Sequence, residues 1–401
     1  MLLNKQRAYE VMDRRGLDAL IAISPNNVYY LSDYETDLLY DPPWIACAIL
    51  PRSEDVEPCL IITEIDLTCL VERPSWMPDI RTYYFALYGQ LFPTLTFNKD
   101  QPLTGDDAKV YAAVQELKEK GTVGLMDALI PALKEKGLTR GKLGFDDVRL
   151  AMALGDVVEE ADIVDATNDF IEIRMVKTPD EIAILRESAK KNQAAVEGAI
   201  ATIEAGALWQ DVYTAYEAGV AKQHARVFAT FNGAGPKGAG AGRLNRDYAI
   251  KDGDMVCLDC MLKYRRYMGD CQRTVAVGAA PEKLERYWRA LKMGVDEGYS
   301  SIRAGVSTSD LRNQALETVR KNGVPDFEVA FIHSIGLDHL EVPAVEGGSL
   351  GVFTLQPNMV VNMDMEIHEI GYGGLFFEES MLVTENGAER LYSLPRDMIR
   401  V

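Results

Sequence analysis

Basic charge is scarce in this chain: 42 lysines and arginines stand against 61 aspartates and glutamates, giving a net charge of −19 and a pI near 4.8. Nucleic acid or an anionic membrane as the main partner would call for a basic face, so both are set aside. Long apolar runs are missing too, since none approaches the roughly 18 residues that a membrane helix needs. The six cysteines, Cys47, Cys59, Cys69, Cys257, Cys260 and Cys271, are scattered without disulfide-framework spacing, and the opening MLLNKQRAYEVMDRRG carries no apolar signal-peptide core. These absences lead to an expectation of a reducing cytoplasm and of small-molecule chemistry. With 401 residues, 47% of them hydrophobic, the chain is long enough for two domains.

What is present alternates helix and strand signals. Asn4–Arg15 sets Ala8, Val11 and Met12 on one helical face and ends before Gly16. LDALIAIS reads as a strand, PNNV as a turn, WIACAILP and EPCLIITE as further strands, and KEKGTVGLMDALIPALKEKGL with KLGFDD as helix and strand. The first part is therefore expected to be a small α/β domain. Residues 84–105 show no period and read as a loop that could cover a site. A break near Asp165–Arg174 divides 1–168 from 169–401. Beyond it Thr178 is placed to cap a helix, with Pro179 at its first position and Glu181 as the capping-box partner. Further helices are expected over 208–223, over 281–305 and along STSDLRNQALETVRKNG, with strands interleaved. That pattern predicts an α+β domain, an antiparallel sheet backed by helices with a concave face.

The chemistry concentrates between Asp259 and Glu378. Two apolar runs in MVCLDCMLKYRRYMGDCQRTVAVG carry Asp259 and Asp270 and read as a hairpin. A turn centred on Tyr264 and Arg265 would set the two aspartates directly opposite each other. Facing carboxylates repel, so a half-buried pair calls for a shared proton or a cation. His333 follows in FIHSIGLDHLEVP, and a second hairpin brings Asp364 and then Glu378 or Glu379. Strand period two puts only one of those two glutamates on the shared face, and the pattern alone does not choose. Four carboxylates and an imidazole suit divalent Mn, Fe, Co or Zn. Singly, each residue has an ordinary reading as a turn aspartate, a core histidine or a solvated edge; the set of five is what points to metal.

Two other patterns are set aside. GAGPKG, Gly233 to Gly238, satisfies G-x-G-x-x-G, yet it contains Pro236 and leads towards another strand, so it reads as a backbone-exposing rim. Cys257 and Cys260 with Cys271 look like half a zinc site, but no second pair exists and strand period turns Cys257 and Cys260 to opposite faces.

The order Asp, eleven residues on Asp, then His-x-x-Gly-Leu, then an acid after an apolar strand and an acid before L-V-T-E-N-G resembles the pita-bread metallohydrolases, which include Xaa-Pro peptidases, methionine aminopeptidases and creatinase. GLDALIAISPNNVYYLSDY is similar to the opening of their creatinase-like N-terminal domain, and IRMVKTPDEI to the start of the catalytic half. The resemblance implies an α/β N-terminal domain plus an α+β C-terminal pita-bread (creatinase/aminopeptidase) domain. It also implies a homodimer and a metal-dependent hydrolase acting on a C–N bond of a dipeptide or other small molecule. It makes Asp259, Asp270, His333, Asp364 and Glu378 the ligands of two divalent ions (Mn, Co, Zn or Fe), with Asp270 and Glu378 as bridges, and it selects Glu378 over Glu379.

The chain departs from that pattern at three places. Asp364 precedes Met365 where relatives have a Glu-Pro pair. Arg243 stands in GAGAGRLNRDY near the place of a family histidine. The second family histidine falls on Leu340, with His339 one position earlier. Arg243 is accordingly expected to grip a carboxylate of a small anionic or zwitterionic substrate, and His339 to transfer a proton. Alternatives on the same fold are a creatinase-like amidinohydrolase, a sulfoniopropionate-lyase-like enzyme, and a metal-free binding or scaffold protein.

Overall fold

A computed structural model describes residues 1–40, 44–87, 90–91, 95–231, 233–240, 247–345 and 352–401. The chain separates into two compact units, Met1–Arg174 and Met175–Val401. A division after residue 168 would cut the helix Thr167–Arg174, whose Phe170 and Ile173 are buried within the first unit. None of the described helices is long and apolar enough to cross a membrane.

The first unit is α/β. Its helix Lys5–Arg15 begins where Asn4 accepts a hydrogen bond from the Arg7 amide and ends at Gly16, whose left-handed conformation a side chain would strain. A six-stranded mixed sheet runs in the order Asp79–Tyr83, Cys59–Thr63, Cys47–Pro51, Ala19–Ala22, Arg140–Phe145, Glu160–Asp165. The three strands Ala19–Ala22, Cys47–Pro51 and Cys59–Thr63 are buried along their whole length, which is why they read as unbroken apolar runs. Helix Leu125–Glu135 contributes Leu129, Ala132 and Leu133 to the core with Ile21, Ile49 and Ile61.

One expectation for this unit is corrected and another refined. PNNV is no turn but the start of a helix, Pro25–Ser32, with Pro25 at its first position. The Asp146 carboxylate, distant in sequence, accepts from the Ile23 and Ser24 amides and from Asn27 Nδ2, and so organises the helix start. Residues 84–105 hold a short ladder, Ala86–Leu87 with Gln90–Leu91, and then helix Gly105–Lys120 begins; 88–89 and 92–94 lie outside the described residues.

The second unit is built on one large sheet, largely antiparallel. Its central path runs Gly233–Ala234, Met255–Tyr264, Tyr267–Ala276, Gly373–Glu379, Val360–Glu369, Ala330–Ser334, Glu341–Val345. One side of it is covered by two helix pairs. Pro179–Ile200 and Trp209–Lys222 pack Ala195, Val196 and Tyr216 on Leu258, Cys260, Cys271 and Val275. Glu282–Ser300 and Thr308–Lys321 pack Leu291, Val295, Ala315 and Val319 on Ile332, Met363, Met365 and Phe377. The capping box is present as the sequence predicts: the Glu181 amide donates to Thr178 Oγ1, and the Thr178 amide donates to Glu181 Oε2.

The hairpin register differs from expectation by two residues. Its turn is Arg265–Arg266, both at positive φ (47° and 66°), so Tyr264 pairs with Tyr267, Asp259 with Gln272 and Met261 with Asp270. A two-residue turn with both central residues left-handed matches the twist of the strands it joins. The aspartates are therefore diagonal rather than opposite, still on one face because two residues is one full strand period.

Candidate metal centre

Pairing across the sheet fixes which residues share the face away from the helices. Asp259 pairs with Gln272, Gln272 with Glu378, and Phe331 with Asp364. Directly paired residues point to the same side, and so do residues two apart. Asp259, Asp270, His333, Asp364 and Glu378, one from each of five strands, therefore project from one face. Leu258, Cys271, Ile332, Met363, Met365 and Phe377 project from the other, into the helical layer. Glu379 goes with them. Its carboxylate meets Arg273 Nη2 at 2.9 Å, Arg390 Nε at 2.8 Å and Arg396 Nε at 2.6 Å. The choice between Glu378 and Glu379 that sequence alone leaves open is thus made by register.

The ligand atoms converge. Oxygens of Asp259, Asp270 and Glu378 lie within 4.8 Å of one another, and so do ligand atoms of His333, Asp364 and Glu378 and of Asp270, His333 and His339. Asp270, His333 and Glu378 each belong to two of these groups. His333 Nε2 sits 3.1 Å from Glu378 Oε1 and 3.3 Å from Asp364 Oδ1. Asp270, His333 and Glu378 are closed off from solvent, whereas Asp364 and His339 keep 16% and 23% of their side chains exposed, which marks the open side.

Such crowding of acids perturbs all five of the expected ligands. Asp259 is pushed well above the usual carboxylate range by burial and then by Asp270, Glu378 and Asp364. Asp364 is raised likewise by burial and by Glu378, against the pull of His333. Asp270 is pushed up to about 6 by burial and Glu378, with His339 and His333 acting the other way. Burial would raise Glu378 as well, but hydrogen bonding and charge from His333, helped by Asp364 and Asn362, hold it below its ordinary value. Burial works against charge on His333, yet Asp364 and Glu378 overcome it and hold the imidazole well above its usual range. Asp270 Oδ1 is buried with no hydrogen-bond partner among the described residues. A carboxylate oxygen left without a donor inside a ring of acids is what a cation site requires, and the oxygen-rich donor set with one imidazole fits a divalent ion.

His339 approaches from the loop after His333, its Nε2 3.2 Å from Asp270 Oδ2 and its ring 5.4 Å from that of His333. That loop is tied down from below. Glu341 Oε1 accepts the amides of Leu337 and Asp338, and Glu341 Oε2 meets the buried Lys177 ammonium at 2.6 Å. Arg243 lies outside the described residues. The GAGPKG segment forms the short strand Gly233–Ala234 and a 3-10 turn, Gly235–Gly238, rather than the start of an α-helix, and all six cysteines are free, Cys257 and Cys260 buried.

Four polar residues of this face were not singled out from sequence. Asn362 donates to Glu378 Oε1 and fixes its rotamer. Gln272 lies between Asp259 and Glu378 across the sheet, and its amide donates to Glu366, which in turn meets His368. Period two was the available signal, since 362, 366 and 368 share the parity of Asp364 and 272 that of Asp270.

Comparison with known proteins adds the following. Residues 183–385 match the model of metallopeptidase family M24, and residues 5–176 match the creatinase/prolidase N-terminal domain. The chain is similar to the Xaa-Pro dipeptidase of Pyrococcus furiosus, 23% identical over 398 residues covering 98% of this chain and 99% of the relative. It is also similar to the Xaa-Pro dipeptidase of Pyrococcus horikoshii, 25% identical over 398 residues and 98% of both chains. Among solved structures, the Xaa-Pro dipeptidase from Bacillus anthracis superposes with a TM-score of 0.77 at 21% identity, covering 99% of this chain and 98% of that one. The prolidase from Pyrococcus horikoshii gives 0.76 at 20%, covering 98% and 99%.

Proposed function

The chain belongs to metallopeptidase family M24, and we propose that it is a metal-dependent dipeptidase of the Xaa-Pro type, using two divalent ions to hydrolyse a C–N bond of a small substrate. One observation carries the reading: two three-ligand groups share Glu378 on one face of the sheet. In this assignment Asp259, Asp270, His333, Asp364 and Glu378 would hold the ions. Mn, Co, Zn and Fe all suit these donors. When bound, such a pair supplies Lewis-acid polarisation of the scissile carbonyl and a water acidic enough to ionise near neutrality.

The protein's own part is positioning and proton movement. Asn362 holds Glu378 in one rotamer, and Glu341 with Lys177 holds the loop that carries His339. His339, partly open to solvent and within reach of Asp270, takes the proton from the attacking water and returns it to the leaving nitrogen. Arg243 is assigned to the substrate carboxylate from its place in the chain alone.

The test is direct. Protein loaded with Mn or Co should release proline from Xaa-Pro dipeptides, lose that activity on chelation and regain it on reloading. Loaded protein that cleaves no dipeptide in such a panel, but turns over a small zwitterion, would move the chain to the creatinase-like or lyase-like branch.

A further inference from the structure

Gln272 is 2% exposed, and its side-chain oxygen has no hydrogen-bond partner among the described residues. Its amide nitrogen donates to Glu366 Oε1 at 2.7 Å. An ionised carboxylate only accepts, so the nitrogen must face Glu366 and the unmatched atom is the acceptor Oε1. A buried acceptor with nothing to accept from costs stability unless a ligand supplies the donor.

Glu366 is the second half of the feature. Its other oxygen lies 2.6 Å from His368 Nε2, and His368 Nδ1 accepts from the Gly240 amide. An imidazole that accepts at Nδ1 and donates at Nε2 is the neutral tautomer. Both partners of Glu366 are then uncharged, and among the described residues no lysine or arginine pairs with it. Glu366 and His368 retain 18% and 26% of their side-chain exposure, so the carboxylate can be reached from the open side. Along the sheet Glu366 is one strand period beyond Asp364, on the same face, about 7 Å away. The row of Asp259, Gln272 and Glu378 lies between it and the Asp270–His339 end.

We propose that Gln272 and Glu366 form a subsite for a positively charged, N–H-bearing side chain of the substrate, one ending in an ammonium or guanidinium, held beside the metal centre at the end opposite His339. Glu366 supplies the counter-charge and Gln272 Oε1 accepts one N–H. The inference rests on the peptidase reading in so far as it assigns the site a preference among dipeptides: the residue before proline should be lysine or arginine rather than a neutral chain with the same four side-chain carbons as lysine.

With Mn-loaded protein, kcat/KM for Lys-Pro should exceed that for norleucine-Pro by about 10- to 100-fold, the range for a hydrogen bond to a charged group. Glu366→Gln, which keeps the shape and removes the charge, should bring that ratio close to one. Should that variant fold poorly, Gln272→Met should also lower the ratio, having lost the acceptor. Metal content measured on both variants should stay at the wild-type stoichiometry. A wild-type ratio near one, a ratio that survives Glu366→Gln, or loss of an ion in that variant would each overturn the proposal, the last by making Glu366 a ligand. Calorimetric titration with L-lysine amide and L-norleucine amide separates the two readings. If no dipeptide is cleaved but lysine amide binds at least tenfold tighter and loses that margin in Glu366→Gln, the peptidase reading falls and the subsite stands. Equal binding of the two amides would reject the subsite.

Discussion

Glu378 and Glu379 are neighbours on one strand and live in opposite electrostatic worlds. Glu378 faces three more carboxylates and one imidazole, with Asn362 as its neutral donor. Glu379 faces Arg273, Arg390 and Arg396, all within hydrogen-bonding distance, and Tyr299 clamps its backbone. Burial would raise both acids, and both end below their ordinary values, Glu379 through the Arg390 hydrogen bond and the charges of Arg273 and Arg396. The difference lies in what is left over. On the arginine face the charge of Glu379 is more than met from within the chain. On the acid face Asp259, Asp270 and Asp364 are all raised, so the fold carries a deficit of positive charge there. A sheet that is braced on one face can hold a repulsive cluster on the other, ready for cations.

The sharpest way to test that contrast is to remove one acid from each face. Asp270→Ala should lower kcat/KM by at least roughly 10³-fold with loss of bound metal, because its carboxylate belongs to two ligand groups. Without metal the same variant should be as stable as wild type or more so, since a buried acid has left a repulsive cluster. Elemental analysis, kinetics and thermal unfolding of the chelated protein read all three. Glu379→Ala should do the reverse. Leaving Arg273, itself 1% exposed, beside two unpaired guanidiniums should cost about 3–5 kcal/mol of stability. Denaturant unfolding should show a lower midpoint, and the fraction still folded should keep its metal.

The pH dependence of the metal-free protein separates the faces without mutation. Asp270, near 6 when folded against roughly 4 unfolded, binds more protons in the native state between those values, so stability falls as pH rises through that window. Asp259 and Asp364 act in the same direction. Glu379, held low, contributes stability that is present above roughly pH 4 and is lost only in stronger acid. Chelated protein should therefore be more stable near pH 5 than near pH 7, by on the order of 2 kcal/mol. Saturating Mn should reverse the order, because protons and cations compete for the same oxygens. Chelated protein that gains stability from pH 5 to pH 7 would break the contrast.

The contrast also shows what a sequence can disclose. Asp259, Asp270, His333 and Asp364 were legible because each breaks an apolar strand, and the helix at Thr178 because its cap and first turn are local chemistry. The hairpin register was not, since it depends on Arg265 and Arg266 both adopting positive φ, which neither residue type announces. Nor was the helix at Pro25, whose start is organised by Asp146 far along the chain. Gln272 and Glu366 carry no motif. They become visible only when the pairing of Asp259 with Gln272, and of Gln272 with Glu378, lays the rows side by side.

The smallest effect tests whether the helical layer acts only as a brace. Thr178 caps the helix Pro179–Ile200, which covers the strands of Asp259 and Asp270 on the side away from the acid cluster through Ala195 and Val196. Its hydroxyl accepts from the Glu181 amide at 3.2 Å, and its amide donates back to Glu181 at 2.8 Å. Thr178→Ala removes the first bond and leaves the second, so the loss should be about 1 kcal/mol. That is a fall in unfolding midpoint well below the one expected at Glu379, with metal stoichiometry and KM as in wild type. The variant touches neither face of charge. A change in metal affinity at this position would mean that the brace and the acid cluster are coupled through the sheet, and the two faces of the Glu378–Glu379 strand could no longer be treated as independent.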